Sequence, residues 1–130
     1  MSINLDDYKE DYIIAALELV DNMRAILITS DFQNQPDLIE TLHRDGHSLK
    51  GQALAMGYNQ IGLTGKMLES VFLSVKEGKT NIDKNLRDLM LETLATIREA
   101  LNKIKSGDEE TNMENIISNI ENKTGVKLLE

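Results

Sequence analysis

The sequence has no cysteine, no tryptophan, a single proline, two phenylalanines, three tyrosines and two histidines. Without cysteine there is no disulfide framework, no thiolate zinc ligand and no sulfur nucleophile, and the chain suits a reducing compartment such as the cytoplasm. Few aromatics and no alternating β-branched runs leave little from which to build a sheet. Positive charge is also scarce: 14 Lys and Arg stand against 22 Asp and Glu, a formal net charge of −8. That balance disfavours nucleic-acid backbones, which are gripped by clustered basic residues, and favours neutral or basic protein surfaces. The first apolar cluster, Tyr12 to Leu17, is flanked by Glu10, Asp11 and Glu18. It fits neither a signal peptide with a basic leader nor a membrane span of ~20 apolar residues. No glycine-rich phosphate loop occurs, so no ATP site is expected. The terminal Leu129-Glu130 reads as a cloning scar.

What the chain does have is helical periodicity. At 130 residues and 41% hydrophobic it suits one domain with a self-supporting core. Tyr12, Ala15, Ala16, Leu19, Met23, Ile26 and Leu27 recur at three- and four-residue spacing, predicting a first helix from Asp6 to about Thr29, with Asp6 and Asp7 at its positive end. Residues 30–35 read as a polar link. Pro36 opens a second helix, where its missing N–H is harmless, running to about Met56 with Gly57 as a left-handed stop. A third runs from Asn59 to Glu77, with Leu68, Val71, Phe72 and Val75 as its buried stripe, although Gly62 and Gly65 weaken its start by ~1 kcal/mol each. Thr80-Asn81-Ile82-Asp83 reads as a capping box for a fourth helix carrying Leu86, Leu89, Met90, Thr93, Leu94, Ile97 and Leu101. Asp108-Glu109-Glu110 reads as a solvated link, and Thr111-Asn112-Met113-Glu114 as the capping box of a shorter fifth helix with Ile116, Ile117 and Ile120. Met56, Met67 and Met90 read as core fillers. The expected fold is all-α: an antiparallel up-down-up-down four-helix bundle over residues 1–106, with an additional C-terminal helix and tail over 107–130 that could lead to further domains.

The two histidines, His43 and His47, lie one turn apart on the second helix. Leu38, Leu42, Leu49, Ala53 and Met56 mark its buried face, and His47 falls roughly 140° from the middle of that stripe at ~100° per residue. It should face outwards, with His43 nearer the core boundary. Lys50 and Gly51, three and four residues on, occupy the adjoining turn. An exposed imidazole is a competent nucleophile near neutral pH, an ammonium steadies phosphoryl oxygens, and a missing side chain lets a partner's phosphate-bearing loop come close. These parts suit phosphoryl transfer onto nitrogen. Gly46 adds a second helical glycine on the preceding turn, and two such losses are hard to explain by stability alone.

The run His47-Ser48-Leu49-Lys50-Gly51-Gln52-Ala53-Leu54-Ala55-Met56-Gly57-Tyr58 resembles the signature of histidine phosphotransfer (HPt) domains, and most of all those that begin CheA-type chemotaxis kinases. The close resemblance covers about residues 38–72, and the helix pattern agrees from Tyr12 to Leu101. It implies that His47 is the phosphoacceptor through Nε2, with Lys50 beside the phosphoryl group. Gly51 would relieve the docking surface, where His43 could also take part, although His43 reads more simply as a packing residue. A glutamate on the next helix, here Glu69, would accept a hydrogen bond from Nδ1–H, fixing the tautomer and leaving Nε2 bare. Gly46 stands in place of an alanine-like residue, Asp45 adds a charge, and the stretch Leu63 to Glu69 departs from the usual Leu-Thr-His pattern.

The same resemblance implies a phosphocarrier rather than a complete kinase. Its partners would be the ATP-binding domain of a histidine kinase, in cis or in trans, and the receiver domain of a response regulator, met transiently through an apolar patch with charged edges. No resident cofactor is expected, because Mg²⁺ would come with the regulator or the kinase domain. The fragment would be monomeric, without nucleic acid or membrane. Other readings are a free-standing carrier or a non-catalytic helical interaction module. His43 and His47 at i, i+4 lack the further ligands that zinc needs, and a single Glu-x-x-His unit, Glu40 to His43, is too little for a di-iron bundle, so no metal site is expected.

Overall fold

The computed structural model describes residues 5–128, with side chains from Tyr8 onward; Asp6, Asp7, Leu129 and Glu130 therefore lie outside the described side chains. Helices α1 (Leu5–Leu27), α2 (Pro36–Ala55), α3 (Asn59–Lys76), α4 (Lys84–Lys105) and α5 (Glu114–Thr124) are joined by short links, and no strand occurs among the described residues. Helix α1 packs against α2 and α4, α2 lies most closely against α3, and α5 rests on α3 and α4. The bundle is antiparallel, up-down-up-down, with a fifth helix laid across its second half. No described helix is long and apolar enough to cross a membrane.

Helix stops follow the glycines: Gly57, Gly78, Gly107 and Gly125 all have positive φ, a conformation that costs a side chain but not glycine. The expected stripes face the core, with Leu19, Leu38, Val75 and Leu89 only partly buried at its edge. Met23, Leu42, Leu49, Leu68, Val71, Phe72, Met90, Leu94 and Ile97 lose essentially all solvent contact. Met67 also lies in that core, while Met56 is half-buried against it.

Four local expectations are corrected. Helix α4 is capped by Asp83, whose Oδ1 accepts from Leu86 N at 2.8 Å, whereas the Thr80 hydroxyl is engaged with Ser74 Oγ at 2.6 Å. Helix α5 starts at Glu114 after Met113, which makes no side-chain cap; instead Asn112 Oδ1 accepts from Glu114 N at 2.9 Å. The link over 30–35 is not simply polar, because it contains a 3₁₀ turn, Phe32–Asn34, that buries Phe32. There Gln33 Oε1 accepts from Ile82 N at 2.8 Å, tying the α1–α2 link to the α3–α4 link. Finally, Glu110 is not idle in solvent: its Oε2 accepts from Ile61 N at 2.8 Å, satisfying an orphan donor at the start of α3.

Gln60 adds a second tie across the same gap, with Oε1 accepting from Met113 N at 2.9 Å. Together with the burial of Met113, Ile117 and Ile120, these bonds make α5 continuous with the core of the other four helices. Truncating Ile120 to alanine should lower the unfolding free energy by about 2–5 kcal/mol, the usual loss for a large aliphatic core residue. Urea unfolding followed by helical circular dichroism measures it. A loss well under 1 kcal/mol would mean that α5 is not integral to the core.

Candidate functional site

Helices α2 and α3 carry four glycines, Gly46 and Gly51 on α2 and Gly62 and Gly65 on α3. Each costs about 1 kcal/mol of helix propensity relative to alanine, so the interface must return something for them. At three of the four positions the reason is proximity. A Cβ on Gly46 would sit 3.0 Å from the backbone nitrogen of Glu69, and one on Gly65 would sit 2.8 Å from the backbone nitrogen of Lys50. A Cβ on Gly62 would run into the side chain of Leu54 at 2.5 Å. Gly51 differs, since nothing lies within 4 Å of where its Cβ would be. The weakening of α3 expected from Gly62 and Gly65 is thus the condition for close helix packing, and Gly46 has a structural role beside its place next to His47.

Across this close interface one carboxylate meets two partners. Glu69 Oε1 accepts a hydrogen bond from Lys50 Nζ at 2.7 Å, and Glu69 Oε2 pairs with His47 Nδ1. The side chain of Glu69 is 16% exposed and that of Lys50 24%, whereas the His47 ring is 66% exposed. Burial pushes the Glu69 carboxyl up, but the hydrogen bonds from Lys50 and His47 and the Lys50 charge outweigh it and hold the group below its ordinary value. Glu69 is therefore ionised at neutral pH and can only accept. The proton shared with it belongs to His47 Nδ1, and in the neutral ring Nε2 is left bare. Chemically the arrangement is an oriented, solvent-facing nitrogen nucleophile with an anion behind its ring and a cation alongside.

Of the residues singled out from sequence, His47, Lys50 and Glu69 are thus brought together. Gly51 lies exposed on the next turn after His47. Leu54, two turns beyond His47, and Leu73, one turn beyond Glu69, are exposed apolar side chains on the same two helices. His43 stands apart: it is half-buried, and its Nδ1 is enclosed without a hydrogen-bond partner. Asp45 is likewise half-buried, and burial raises its carboxyl above the usual range. Tyr58, which closes the His47 run, stacks on Tyr12 with ring centroids 5.4 Å apart. Burial and the nearby Glu110 carboxylate push the Tyr12 hydroxyl well up. The partnership of Gly65 with Lys50 is not legible in the sequence. Its only sequence signal is a glycine one turn ahead of Glu69, which is indistinguishable from a poor helix former.

Because its carboxyl is depressed in the folded chain, Glu69 contributes stability that is fully present above the ordinary glutamate range and is lost as pH falls through the lowered native value. The stability gap between the parent chain and Glu69→Gln should be widest near neutral pH and close as pH drops below about 4.3. Urea unfolding at a series of pH values measures this, and a gap independent of pH would contradict the assigned ionisation.

Comparison with known proteins places the chain in a family. Residues 7–107 match the Hpt domain family. Chemotaxis protein CheA of Borreliella burgdorferi is 33% identical over 87 residues, covering 66% of this chain and 10% of the relative. Chemotaxis protein CheA of Salmonella typhimurium is 25% identical over 111 residues, covering 84% of this chain and 16% of the relative. The chain thus spans only about a tenth to a sixth of these relatives. Among solved structures, the phosphorylated P1 domain of CheA3 in complex with CheY6 from R. sphaeroides superposes with a TM-score of 0.79 at 17% identity, covering 91% of this chain and 95% of that one. With most of its length inside the match and with the helical bundle such domains share, this chain belongs to the Hpt domain family.

Proposed function

We propose that this chain is a phosphotransfer domain of a two-component relay, in which His47 takes a phosphoryl group on Nε2 and passes it to an aspartate of a response regulator. The observation that carries the reading is the His47 ring itself, 66% exposed and held at Nδ1 by an ionised glutamate. In the first step the Nε2 lone pair attacks the γ-phosphorus of ATP held by a kinase domain, and the P–O bond to ADP breaks. The phosphorylated ring keeps its Nδ1–H and so becomes cationic. Glu69, already paired with that N–H, stabilises the charge. In the second step an aspartate carboxylate of the regulator attacks phosphorus, the P–N bond breaks, and its electron pair returns to Nε2. Lys50 stands on the adjoining turn to steady the phosphoryl oxygens in both directions.

Partners follow from the same chemistry. The solved relative was found with CheY6, which supports a receiver domain as the acceptor here. The open space at Gly51 and the exposed Leu54 and Leu73 supply the small, partly apolar contact suited to a transient complex. Mg²⁺ would arrive with the receiver or with the kinase ATP domain. The likeness to much longer chemotaxis kinases supports a place for this domain at the start of a CheA-like chain in the cytoplasm, with the bundle over 1–106 and 107–130 leading onward. In that setting the ATP domain would act in cis or in trans on a monomeric phosphotransfer domain.

Incubation with a CheA-type kinase fragment and labelled ATP tests the proposal. The parent chain should take up label and His47→Gln should take up none; full labelling of His47→Gln would overturn it. Lys50→Ala should keep its helical circular dichroism while transfer slows by roughly 10- to 100-fold, a modest version of losing one donor to a charged transition state. An unchanged rate would remove Lys50 from the site.

A further inference from the structure

The glycine contacts at the α2–α3 interface are not scattered. Gly46 immediately precedes His47, and its missing Cβ is what admits the backbone of Glu69, with N at 3.0 Å and Cα at 3.2 Å from the Cβ position. Gly65 lies one turn before Glu69, and its missing Cβ admits the backbone of Lys50, with N at 2.8 Å and Cα at 3.0 Å. Each glycine therefore sits on the helix of one site residue and touches the main chain of another. Both contacts are with backbone, which cannot swing aside as a side-chain tip would. A methyl group at Gly65 can be accommodated only by moving α3 away from α2, and one at Gly46 only if the backbone at Glu69 gives by a few tenths of an ångström. Yet the hydrogen bonds from Glu69 to Lys50 Nζ and to His47 Nδ1 span that same gap, and hydrogen bonds weaken within a few tenths of an ångström. Gly62 offers a contrast, because the atoms against it belong to the flexible end of Leu54.

We propose that Gly46 and Gly65 are positioning residues for phosphotransfer, fixing the α2–α3 separation at which one carboxylate holds both the imidazole proton and the lysine ammonium. The inference rests on the phosphotransfer reading for its consequence on rate, but not for its consequence on the ring. Displacing α3 releases Nδ1–H from Glu69, frees the imidazole to take the other tautomer with its proton on Nε2, and so occupies the nucleophilic atom.

The test uses Gly46→Ala, Gly65→Ala, Glu69→Gln and the double variant Gly65→Ala/Glu69→Gln, each checked for folding by its amide spectrum. ¹⁵N spectroscopy of the His47 ring at alkaline pH reads the tautomer, and transfer from a kinase fragment reads the rate. Gly65→Ala, with the tighter contact, should lower the Nδ1–H tautomer towards the level of Glu69→Gln and slow transfer about 10- to 100-fold, as expected for a misplacement of ~1 Å or less. Gly46→Ala should shift both readouts in the same direction by less. Because the glycine acts through the carboxylate, the double variant should be no slower than Glu69→Gln alone by more than about twofold, whereas independent effects would multiply.

Parental tautomer and rate in folded Gly46→Ala or Gly65→Ala would overturn the proposal, as would multiplying losses in the double variant. If Gly65→Ala does not fold, the milder Gly46→Ala decides. Failure of both to fold would also overturn it, since the glycines would then serve the bundle rather than the site. Should the parent chain accept no phosphate while the glycine variants still change the ring tautomer, the relay function fails and the positioning role stands.

Discussion

One carboxylate organises the functional face of this molecule. Glu69 bridges His47 and Lys50 across two helices, and the rest of the local structure is arranged so that it can. An ionised carboxylate with 16% exposure is tolerable only because its oxygens are occupied by donors, one of them cationic. The same pairing dictates the protonation pattern of His47, so a single contact links helix packing to nucleophilicity. Burial alone would push Glu69 towards its neutral form, in which it could donate a proton and no longer specify the tautomer. The two partners reverse that tendency.

Rigidity behind the ring is what makes exposure useful. Leu42, Leu49 and Ala53 anchor α2 in the core, and Leu68, Val71 and Phe72 anchor α3. Between those stripes the glycines allow the two backbones to meet. Further along, Glu110 and Gln60 tie the start of α3 to the segment that leads into α5, so the helix carrying Glu69 is held at its start as well as along its buried side. The site is therefore built on regular elements rather than loops, and the reactive edge of the imidazole is left open to solvent.

Much of this was readable from residue order. The 3.6-residue recurrence of Leu, Ile and Met specified the bundle, and Gly57 marked the stop of the second helix. The 140° offset of His47 from the apolar stripe placed it outside, and the resemblance to phosphotransfer domains pointed to Glu69. What could not be read were features that exist only between elements. Helix propensity makes Gly46 and Gly65 look like defects, because propensity is a property of one helix and their value lies in the neighbour's backbone. Thr80 and Thr111 match the capping pattern as well as Asp83 and Asn112 do, and the choice falls to tertiary partners such as Ser74. Acidic Glu110 looks like solvent-facing charge until the unpaired amide of Ile61 is brought beside it.

The central claim is that Glu69 keeps the proton on Nδ1 and reserves Nε2 for phosphorus. Its most direct test is the phosphohistidine isomer formed on the chain, read by long-range ¹H–¹⁵N and ³¹P correlation after enzymatic phosphorylation. The account predicts ³¹P coupling to Nε2 of His47 with Nδ1 still protonated. Phosphorus on Nδ1, or on a ring other than His47, would contradict it.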